Sequence, residues 1–518
     1  MMPILTILTA LPVLGAVVAI LSGNRAKLVA AVFALATLAG SLWVWFSVGA
    51  GGHMMLVERS AWVPDLGIEY HLGVDGLGAL MVLLSAIVTL MAIAASRAVP
   101  AQPGQTEASS QPGLYFALIL LLESGLFGTF TALNFFHWFL YWELSLIPAF
   151  FLIKLWGGAK RGPAATQFFV YTMVGSVALL LSFLALFVAT GGMDFEALAH
   201  FAATGELHRL IEAHLGHVEL ILALGVLLGF AVKVPLMPFH TWLPDTYAEA
   251  PTAITMLLTG AMSKMGVYGL LRLALPIFGR ELFAIRTPLL ALAVLTVVAG
   301  AWAAVVQKDL KRIFAYSSIN HLGYCLLALF AVLLPAAGDP ARALSHAAAL
   351  DGVVLQMFNH GLTAAAIFWF LSMLESRSGG SLALDAFGGL RKPAPVFCGL
   401  MGIALFSSLG LPGLNGFVSE FLIFRGVFPL AWLAATVSVL GLLITAAVIL
   451  TVIQRVFTGP VKTGPVNERY QSMPDLTTAE RVLVAPALAL MLLLGLAPQL
   501  ILGTVNPTVV HWIAGWRF

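Results

Sequence analysis

The chain has 518 residues, of which 60% are hydrophobic and only 10% are charged, and its mean hydropathy is +0.98. Soluble domains carry about 25% charged residues, so this composition excludes a water-soluble fold. The net charge of +2, without a dense Lys/Arg cluster, also excludes a nucleic-acid-binding protein. The sequence therefore predicts a protein whose solvent is lipid.

Apolar runs of about 20 residues, long enough to cross a bilayer as helices, recur along the whole chain. They lack the alternation of a transmembrane β-barrel. The first run has neither a basic leader nor an A-x-A cleavage site, so we interpret it as a retained helix. Cutting at Gly, Pro and charged clusters predicts an all-α polytopic fold of fourteen segments: 3–22, 27–48, 77–97, 114–132, 134–155, 165–190, 217–247, 251–275, 287–306, 311–334, 351–375, 395–427, 431–457 and 481–502.

Two of these segments contain helix breakers and are longer than one span requires. The seventh contains Pro235 and Pro238, and the twelfth contains the stretch GLPGLNG at 410–416. Broken helices expose backbone groups that must be buried in protein or line a cavity, and transporters place binding sites there. We therefore predict that helices 7 and 12 are discontinuous.

The two breaks lie five segments apart, which predicts two five-helix units of opposite orientation. The first unit would comprise helices 4–8, at 114–275, and the second would comprise helices 9–13, at 276–457. Helices 1–3 at 1–113 precede these units, and helix 14 at 458–518 follows them. No residue-level similarity between the units is visible, so this repeat rests on the positions of the breaks alone.

The loop charges predict the orientation. With the N-terminus outside, sixteen Lys and Arg residues fall in inner loops and eight in outer loops, which satisfies the positive-inside rule. Of the 26 cations in the chain, two then remain without a loop, Lys233 and Lys264. A Lys at the bilayer centre costs about 2.5–3.5 kcal/mol, so we interpret both as proton-relay residues. The alternative is a structural ion pair within the bundle.

Three acids are equally unexpected inside apolar segments. Glu143 is the natural partner of Lys233, and the two would form a coupled pair. Glu420 directly follows the second break, which also makes it a relay candidate. For Glu123 two roles are equally consistent with the sequence: a proton relay, or a neutral acid that donates a hydrogen bond to a backbone carbonyl.

Three histidines are weaker relay candidates: His240, His321 and His360. A lone histidine on an apolar face is more often a hydrogen-bonded core residue. The last two, however, have Ser and Asn neighbours that can hold water, and imidazole exchanges protons near neutral pH. The three lie on separate segments without ligand spacing, so we predict no metal site.

The sequence shows no redox or nucleotide-binding motif. Cys325 and Cys398 have neither CxxC nor Cys/His spacing, so neither a disulfide nor an iron–sulfur site is predicted. No GxxxxGK[ST] or GxGxxG pattern occurs. The driving energy must therefore come from a partner or an ion gradient.

Five ordered blocks carry a family resemblance: WELSLIPAFFLIKLWGG, AVKVPLMPFHTWLPDTYAEAPT, LLTGAMSKMGVYGLLR, QKDLKRIFAYSSINHLGY and LGLPGLNGFVSEFLI. In these blocks the chain resembles the antiporter-like proton-translocating subunits of NADH-quinone oxidoreductase (respiratory complex I). That family is shared with Mrp-type antiporters and membrane-bound hydrogenases. The resemblance implies a Glu–Lys pair at Glu143 and Lys233, a central relay at Lys264 and an exit residue at Glu420.

The resemblance also implies a branch, partners and a location. A Glu on helix 12 is similar to the M type, whereas L and N types usually carry Lys there. The chain ends soon after the fourteenth segment, which leaves no room for the long lateral helix of L types. The implied partners are L-type and N-type neighbours in an inner (cell) membrane, with no cofactor in this chain and with NADH, FMN, iron–sulfur clusters and quinone elsewhere in the complex. The chain alone would be part of a translocase, and the alternative is a subunit of an Mrp-type Na+/H+ antiporter or a membrane-bound hydrogenase.

Overall fold

The computed structural model describes residues 3–64, 68–96, 111–335, 339–460 and 473–516. Within these ranges, twelve helices are long and apolar enough to cross a membrane, which confirms an all-α multi-pass fold. In chain order the helices are α1 (Ile4–Leu21), α2 (Ala26–Val48), α3 (Gly76–Ala95), α4 (Pro112–Thr131), α5 (Phe135–Trp156), α6 (Arg161–Thr190), α7 (Phe195–Ala203), α8 (Glu206–Leu215), α9 (Glu219–Lys233), α10 (Trp242–Glu249), α11 (Thr252–Ala284), α12 (Arg286–Val305), α13 (Leu310–Ala331), α14 (Pro340–Arg377), α15 (Pro395–Leu409), α16 (Asn415–Leu430), α17 (Trp432–Thr458), α18 (Thr478–Leu496) and α19 (Gln499–Gly515).

The two discontinuous helices are confirmed at the predicted places. The seventh segment is divided into α9 and α10 by residues 234–241, and the twelfth into α15 and α16 by residues 410–414. Together with the twelve uninterrupted spans they account for all fourteen predicted segments. The proline pair and the glycine-rich stretch thus end the helices as expected.

Backbone groups freed at the first break find partners on neighbouring elements. The Trp242 indole N–H donates to the carbonyl of Val232 at 3.0 Å. The amide of Met237 donates to the Thr296 hydroxyl on α12, also at 3.0 Å. Since lipid offers no hydrogen bonds, these contacts allow a broken helix to exist at membrane depth.

A two-stranded antiparallel hairpin between α2 and α3 was not predicted. It consists of β1 (Met55–Val63) and β2 (Ile68–Val74). The Glu58 carboxylate accepts hydrogen bonds from the amides of Leu5 at 2.7 Å and Thr6 at 3.1 Å. The hairpin therefore satisfies the first turn of α1, where a carboxylate is favoured by the helix dipole.

The hairpin is also attached to the connection between α6 and α7. Asp194 begins α7 by accepting a hydrogen bond from the Ala197 amide at 3.0 Å, and its other oxygen lies 2.7 Å from His71 Nδ1. Because a carboxylate only accepts, the imidazole must donate. Burial opposes ionisation, but the bonds from His71 and Ala197 outweigh it and hold the pKa of Asp194 below its ordinary value of 3.8.

We expect Asp194→Asn to lower thermal stability at neutral pH, because the amide keeps the N-cap hydrogen bond but removes the negative charge that faces His71 and the first turn of α7, an interaction of about 0.3–1 kcal/mol. A lowered pKa means that the contribution of Asp194 is complete above pH 3.8 and disappears as the pH falls through the folded-state value. Thermal unfolding of the detergent-solubilised protein should therefore show a difference between wild type and variant at pH 7 that shrinks toward pH 3. The exposed replacement Glu212→Gln serves as control, and a pH-independent difference would contradict the assignment.

Two cations that the loop count placed outside the membrane are buried, which corrects that count. Helix α11 continues to Ala284 through two π-helical turns, Leu258–Met262 and Leu270–Ala274, so Arg272 lies within the helix and not in an outer loop. Its guanidinium pairs with Asp75 at 2.6 Å. Lys311, assigned to an inner loop, is 6% exposed and pairs with Glu375 at 3.0 Å. The count missed them because both lie near segment ends.

The chain after α18 also differs from the expectation. The fourteenth segment was drawn to residue 502, but α18 ends at Leu496 and a separate helix, α19, follows. Asn506 on α19 donates to Asp351 on α14 at 2.7 Å, and Thr508 accepts from the Gly76 amide at 3.1 Å. Helix α19 thus packs against the start of α3 and the first half of α14.

Candidate functional site

Lys264 lies at the centre of the bundle, on α11 between the two π-helical turns. It is 0% exposed. Its ammonium group contacts three acceptors: the Thr259 carbonyl at 2.5 Å, the Ser263 hydroxyl at 3.3 Å and His360 Nδ1 at 2.8 Å. An ammonium has three donors, so each is directed at a partner. The contact with an imidazole nitrogen can hold a proton on either residue.

His360, on α14, faces a second histidine. The ring centroids of His360 and His321 are 5.2 Å apart, and the hydrogen bonds of the described residues do not join the two rings directly. Two cavities of about 10 Å³ adjoin His360, one lined by Ser317 and Ser318 and the other shared with His321. Each is about the size that holds one water molecule, so a water can join the two rings.

His321, on α13, contacts a carboxylate on the opposite side of its ring. Its Nδ1 lies 3.0 Å from Glu420 Oε1, and its Nε2 lies 3.3 Å from the Ser408 hydroxyl. The second helix break makes room for this acid. Gly410 has φ +81°, and a Cβ there would lie 2.7 Å from Glu420 Oε2. The break therefore positions Glu420 against His321.

The structure brings Lys233 and Glu143 near the same tryptophan. The Lys233 ammonium lies 4.7 Å from the Trp142 ring centroid, and Glu143 follows Trp142 on α5. The two charges interact electrostatically, but within the described residues they form no ion pair within 4.0 Å. The Glu143 Oε1 atom is buried and has no hydrogen-bond partner among the residues that the structure describes. The coupling of Glu143 with Lys233 therefore stays a prediction.

The two lysines lie on helices in direct contact. A Cβ at Gly266 on α11 would lie 3.1 Å from Lys233 Cβ and 2.5 Å from a Val234 methyl group. Only a glycine permits this approach, two residues from Lys264. The first break is therefore packed against the helix that carries the central lysine.

Two sequence candidates lie apart from this group. Glu123 is fully buried on α4, where Oε1 accepts from the Thr37 hydroxyl at 2.9 Å and Oε2 has no hydrogen-bond partner in the described ranges. His240 lies in the first break, with its ring centroid 6.5 Å from that of Tyr316. Among the described contacts, neither residue meets Lys233, Lys264 or Glu420.

Sequence reasoning missed a polar network around His321. Gln356 Nε2 lies 3.5 Å from His321 Nδ1, and its carbonyl oxygen accepts from the Ser419 hydroxyl at 2.6 Å. Asn359 donates to the carbonyl of Asn415 at 2.8 Å. Gln356 precedes His360 by about one turn in an otherwise apolar run, a signal that was available in the sequence, whereas Asn359, directly before His360, is one of the Asn neighbours noted there.

Two broken helices around a line of buried protonatable side chains define a class of polytopic membrane proteins that can pass protons through their interior. The family described as NADH:quinone oxidoreductase/Mrp antiporter, TM matches residues 132–445. The chain belongs to this family.

Full-length relatives agree with this assignment. The chain is 35% identical to NADH-quinone oxidoreductase subunit M of Mycobacterium tuberculosis, over 98% of this chain and 93% of the relative. It is 33% identical to the subunit of that name from Rhodobacter capsulatus, over 100% and 98%. It is also similar to a chain of respiratory complex I from Thermus thermophilus, with 25% identity, a TM-score of 0.83, and coverage of 99% and 100%.

Proposed function

We propose that this chain is the M-type proton-translocating subunit of an NADH-quinone oxidoreductase. The observation that carries the proposal is the series from Lys264 through His360 and His321 to Glu420, in which the first and last steps are direct polar contacts and the two histidine rings have centroids 5.2 Å apart. The similarity to subunits M over nearly the whole chain supports it. Electron transfer elsewhere in the assembly would supply the energy.

The geometry supports a defined order of proton transfer. Lys264 gives a proton to His360 Nδ1, with which it already shares a hydrogen bond of 2.8 Å. His360 then releases its other ring proton to a water beside His321. His321 accepts at Nε2 and donates from Nδ1 to Glu420, 3.0 Å away. An imidazole relays in this way because it has two nitrogens that exchange roles.

Glu143 and Lys233 would control when Lys264 takes up a proton. A proton leaving Lys233 removes a positive charge beside the helix that carries Lys264, and this favours protonation of Lys264. The close contact at Gly266 keeps the two lysines on adjoining helices. Glu123 and His240 are secondary members of this proposal, since their contacts do not join the series.

The two proposed five-helix units, 114–275 and 276–457, would divide these roles between them. The first unit would contain Glu143, Lys233 and Lys264, and the second would contain His321, His360 and Glu420. The Lys264–His360 hydrogen bond then forms the junction between the units. The flanking parts, 1–113 and 458–518, would cover the outer faces of this core.

The subunit would work beside other membrane subunits, with L-type and N-type antiporter-like chains as its neighbours. NADH, FMN, iron–sulfur clusters and quinone would bind elsewhere in the complex. The relay itself needs none of these groups, because each step is a transfer between side chains or through water.

An Mrp-type antiporter subunit is the second candidate, because the family that matches includes both kinds of protein. A C-terminally tagged chain, extracted from its native membrane in mild detergent, decides between them. We expect it to comigrate with NADH-oxidising, quinone-reducing activity, and to pump protons in proteoliposomes without Na+. An assembly that lacks redox activity and requires Na+ would replace this proposal with the antiporter.

A further inference from the structure

Hydroxyl side chains line the half of α11 that leads from its first residue to Lys264. Thr252, Thr255, Thr259 and Ser263 are spaced by three, four and four residues, which places them on one face of the helix. All four are buried, with exposures of 4%, 0%, 0% and 3%. We call this row the hydroxyl face.

Contacts link this face to its surroundings. Thr255 donates to the Tyr247 carbonyl at 3.1 Å, and Ser263 donates to the Thr259 carbonyl at 3.0 Å. The hydroxyls of Thr259 and Ser318 are 3.0 Å apart. Ser318 also lines one of the water-sized cavities next to His360. The hydroxyl face thus reaches both Lys264 and the cavity.

Tyr247 adds a further buried polar group beside the hydroxyl face. Its side chain is 0% exposed, and its hydroxyl lies beside the side chains of Thr259 and Ser263. That hydroxyl has no hydrogen-bond partner in the described part of the chain. A buried hydroxyl without a partner is costly, and an intervening water would satisfy it. Tyr247 lies on α10, the second part of the broken helix.

An ion pair closes the other end of the hydroxyl face. Thr252 donates to Glu375 Oε2, while Lys311 binds Glu375 Oε1 at 3.0 Å and the Ala250 carbonyl at 3.3 Å. The Glu375 side chain is 31% exposed, whereas that of Lys311 is 7% exposed. Glu375 therefore contacts both solvent and Thr252, the first residue of the hydroxyl face. The loop charges place this end at the inner surface.

We infer that the hydroxyl face is a proton-uptake path from the inner surface to Lys264, with Glu375 as its first acceptor. The inference rests on the proposed function. It adds a route that reaches Lys264 without passing through Glu143 or Lys233. The π-helical turn at Leu258–Met262 supports it, since such turns free backbone groups and are frequent at functional sites.

The transfer balances proton by proton. A proton from water binds the Glu375 carboxylate, which weakens its pairing with Lys311. Glu375 passes a proton to the Thr252 oxygen as Thr252 releases its own proton toward Thr255. The shift continues through single waters and the Tyr247 and Thr259 hydroxyls to the lone pair of neutral Lys264. One proton enters, one forms the ammonium, and every hydroxyl keeps one.

The test uses the intact complex in proteoliposomes, with NADH-driven proton pumping as readout. Thr252→Val and Tyr247→Phe should each slow pumping by about tenfold, which is less than the roughly hundredfold or more that a lost acid or base costs, because a water can replace a single hydroxyl of the path. Thr252→Ser, which keeps a hydroxyl, should pump within about twofold of wild type on the same scale. Thr89→Val is the matched control, because Thr89 is buried on α3 and its hydroxyl has no hydrogen-bond partner within the described part of the chain.

Each outcome decides the inference. Wild-type pumping in both Thr252→Val and Tyr247→Phe would overturn it. So would an equal loss in Thr252→Ser and Thr252→Val accompanied by lowered thermal stability, since that pattern indicates packing and not a hydroxyl. Lys264→Met, measured alongside, distinguishes a failure of the proposed function from a failure of the uptake path alone. If Lys264→Met pumps normally, the proposed function fails, whereas if only the hydroxyl variants pump normally, the uptake path alone fails.

Discussion

Replacing Lys233 with Ala is expected to reduce NADH-driven proton pumping by at least about tenfold while the subunit still inserts and assembles. Lys233 is 3% exposed, and its ammonium lies over the Trp142 ring, 4.7 Å from the centroid. The replacement removes the positive charge that interacts with Glu143. Pumping by the reconstituted complex, normalised to the amount of assembled complex, measures the effect.

Lys154→Ala is the matched control for Lys233→Ala. Lys154 is exposed at the end of α5 and also lies near an aromatic ring, that of Phe150, at 5.1 Å. Its replacement should leave pumping near the wild-type rate. Equal losses in both variants would show that any deleted lysine disturbs assembly, and would remove the relay role from Lys233.

Glu420→Gln should slow pumping by about tenfold or more, because an amide cannot carry the proton that His321 releases. The amide is close to the carboxylate in shape and can still accept a hydrogen bond from His321 Nδ1, now 3.0 Å from Glu420. Folding should therefore be preserved. Glu420→Asp keeps the carboxylate and should recover part of the rate.

Glu196→Gln, an exposed replacement on α7, controls for the change of Glu to Gln itself. Pumping is measured in proteoliposomes together with the rate of quinone reduction. Normal pumping in Glu420→Gln would mean that protons leave His321 by another route, and Glu420 would then have only a structural role.

Much of this architecture follows from single residues in the sequence. Pro235 and Pro238 end α9 because proline removes a backbone donor, and Gly410 ends α15 with a positive φ. Lys264 is recognisable because charged residues are rare inside apolar segments. Local signals of this kind depend on only a few neighbouring residues, so they can be recognised in the sequence without knowledge of the fold.

The partners of these residues could not be predicted in the same way. The contact of Glu420 with His321 joins positions about one hundred residues apart, and nothing local selects that histidine over His240. From the sequence Arg272 is assigned to a loop, and only the fold shows that it pairs with Asp75 at the start of α3. The hairpin β1–β2 is stabilised by Glu58 reaching α1, a contact between distant segments. Tertiary packing decides all three.

The most direct test of the account is the number of protons pumped per NADH oxidised by the complex that carries Lys264→Met. Methionine keeps the length and apolar character of the side chain, so the 0% exposed site should stay packed. We predict a proton-to-NADH ratio clearly below that of the wild type, with the wild-type ratio in the exposed control Lys392→Met. A normal proton-to-NADH ratio in Lys264→Met would contradict the account, because no proton would then need the residue at the centre of the relay.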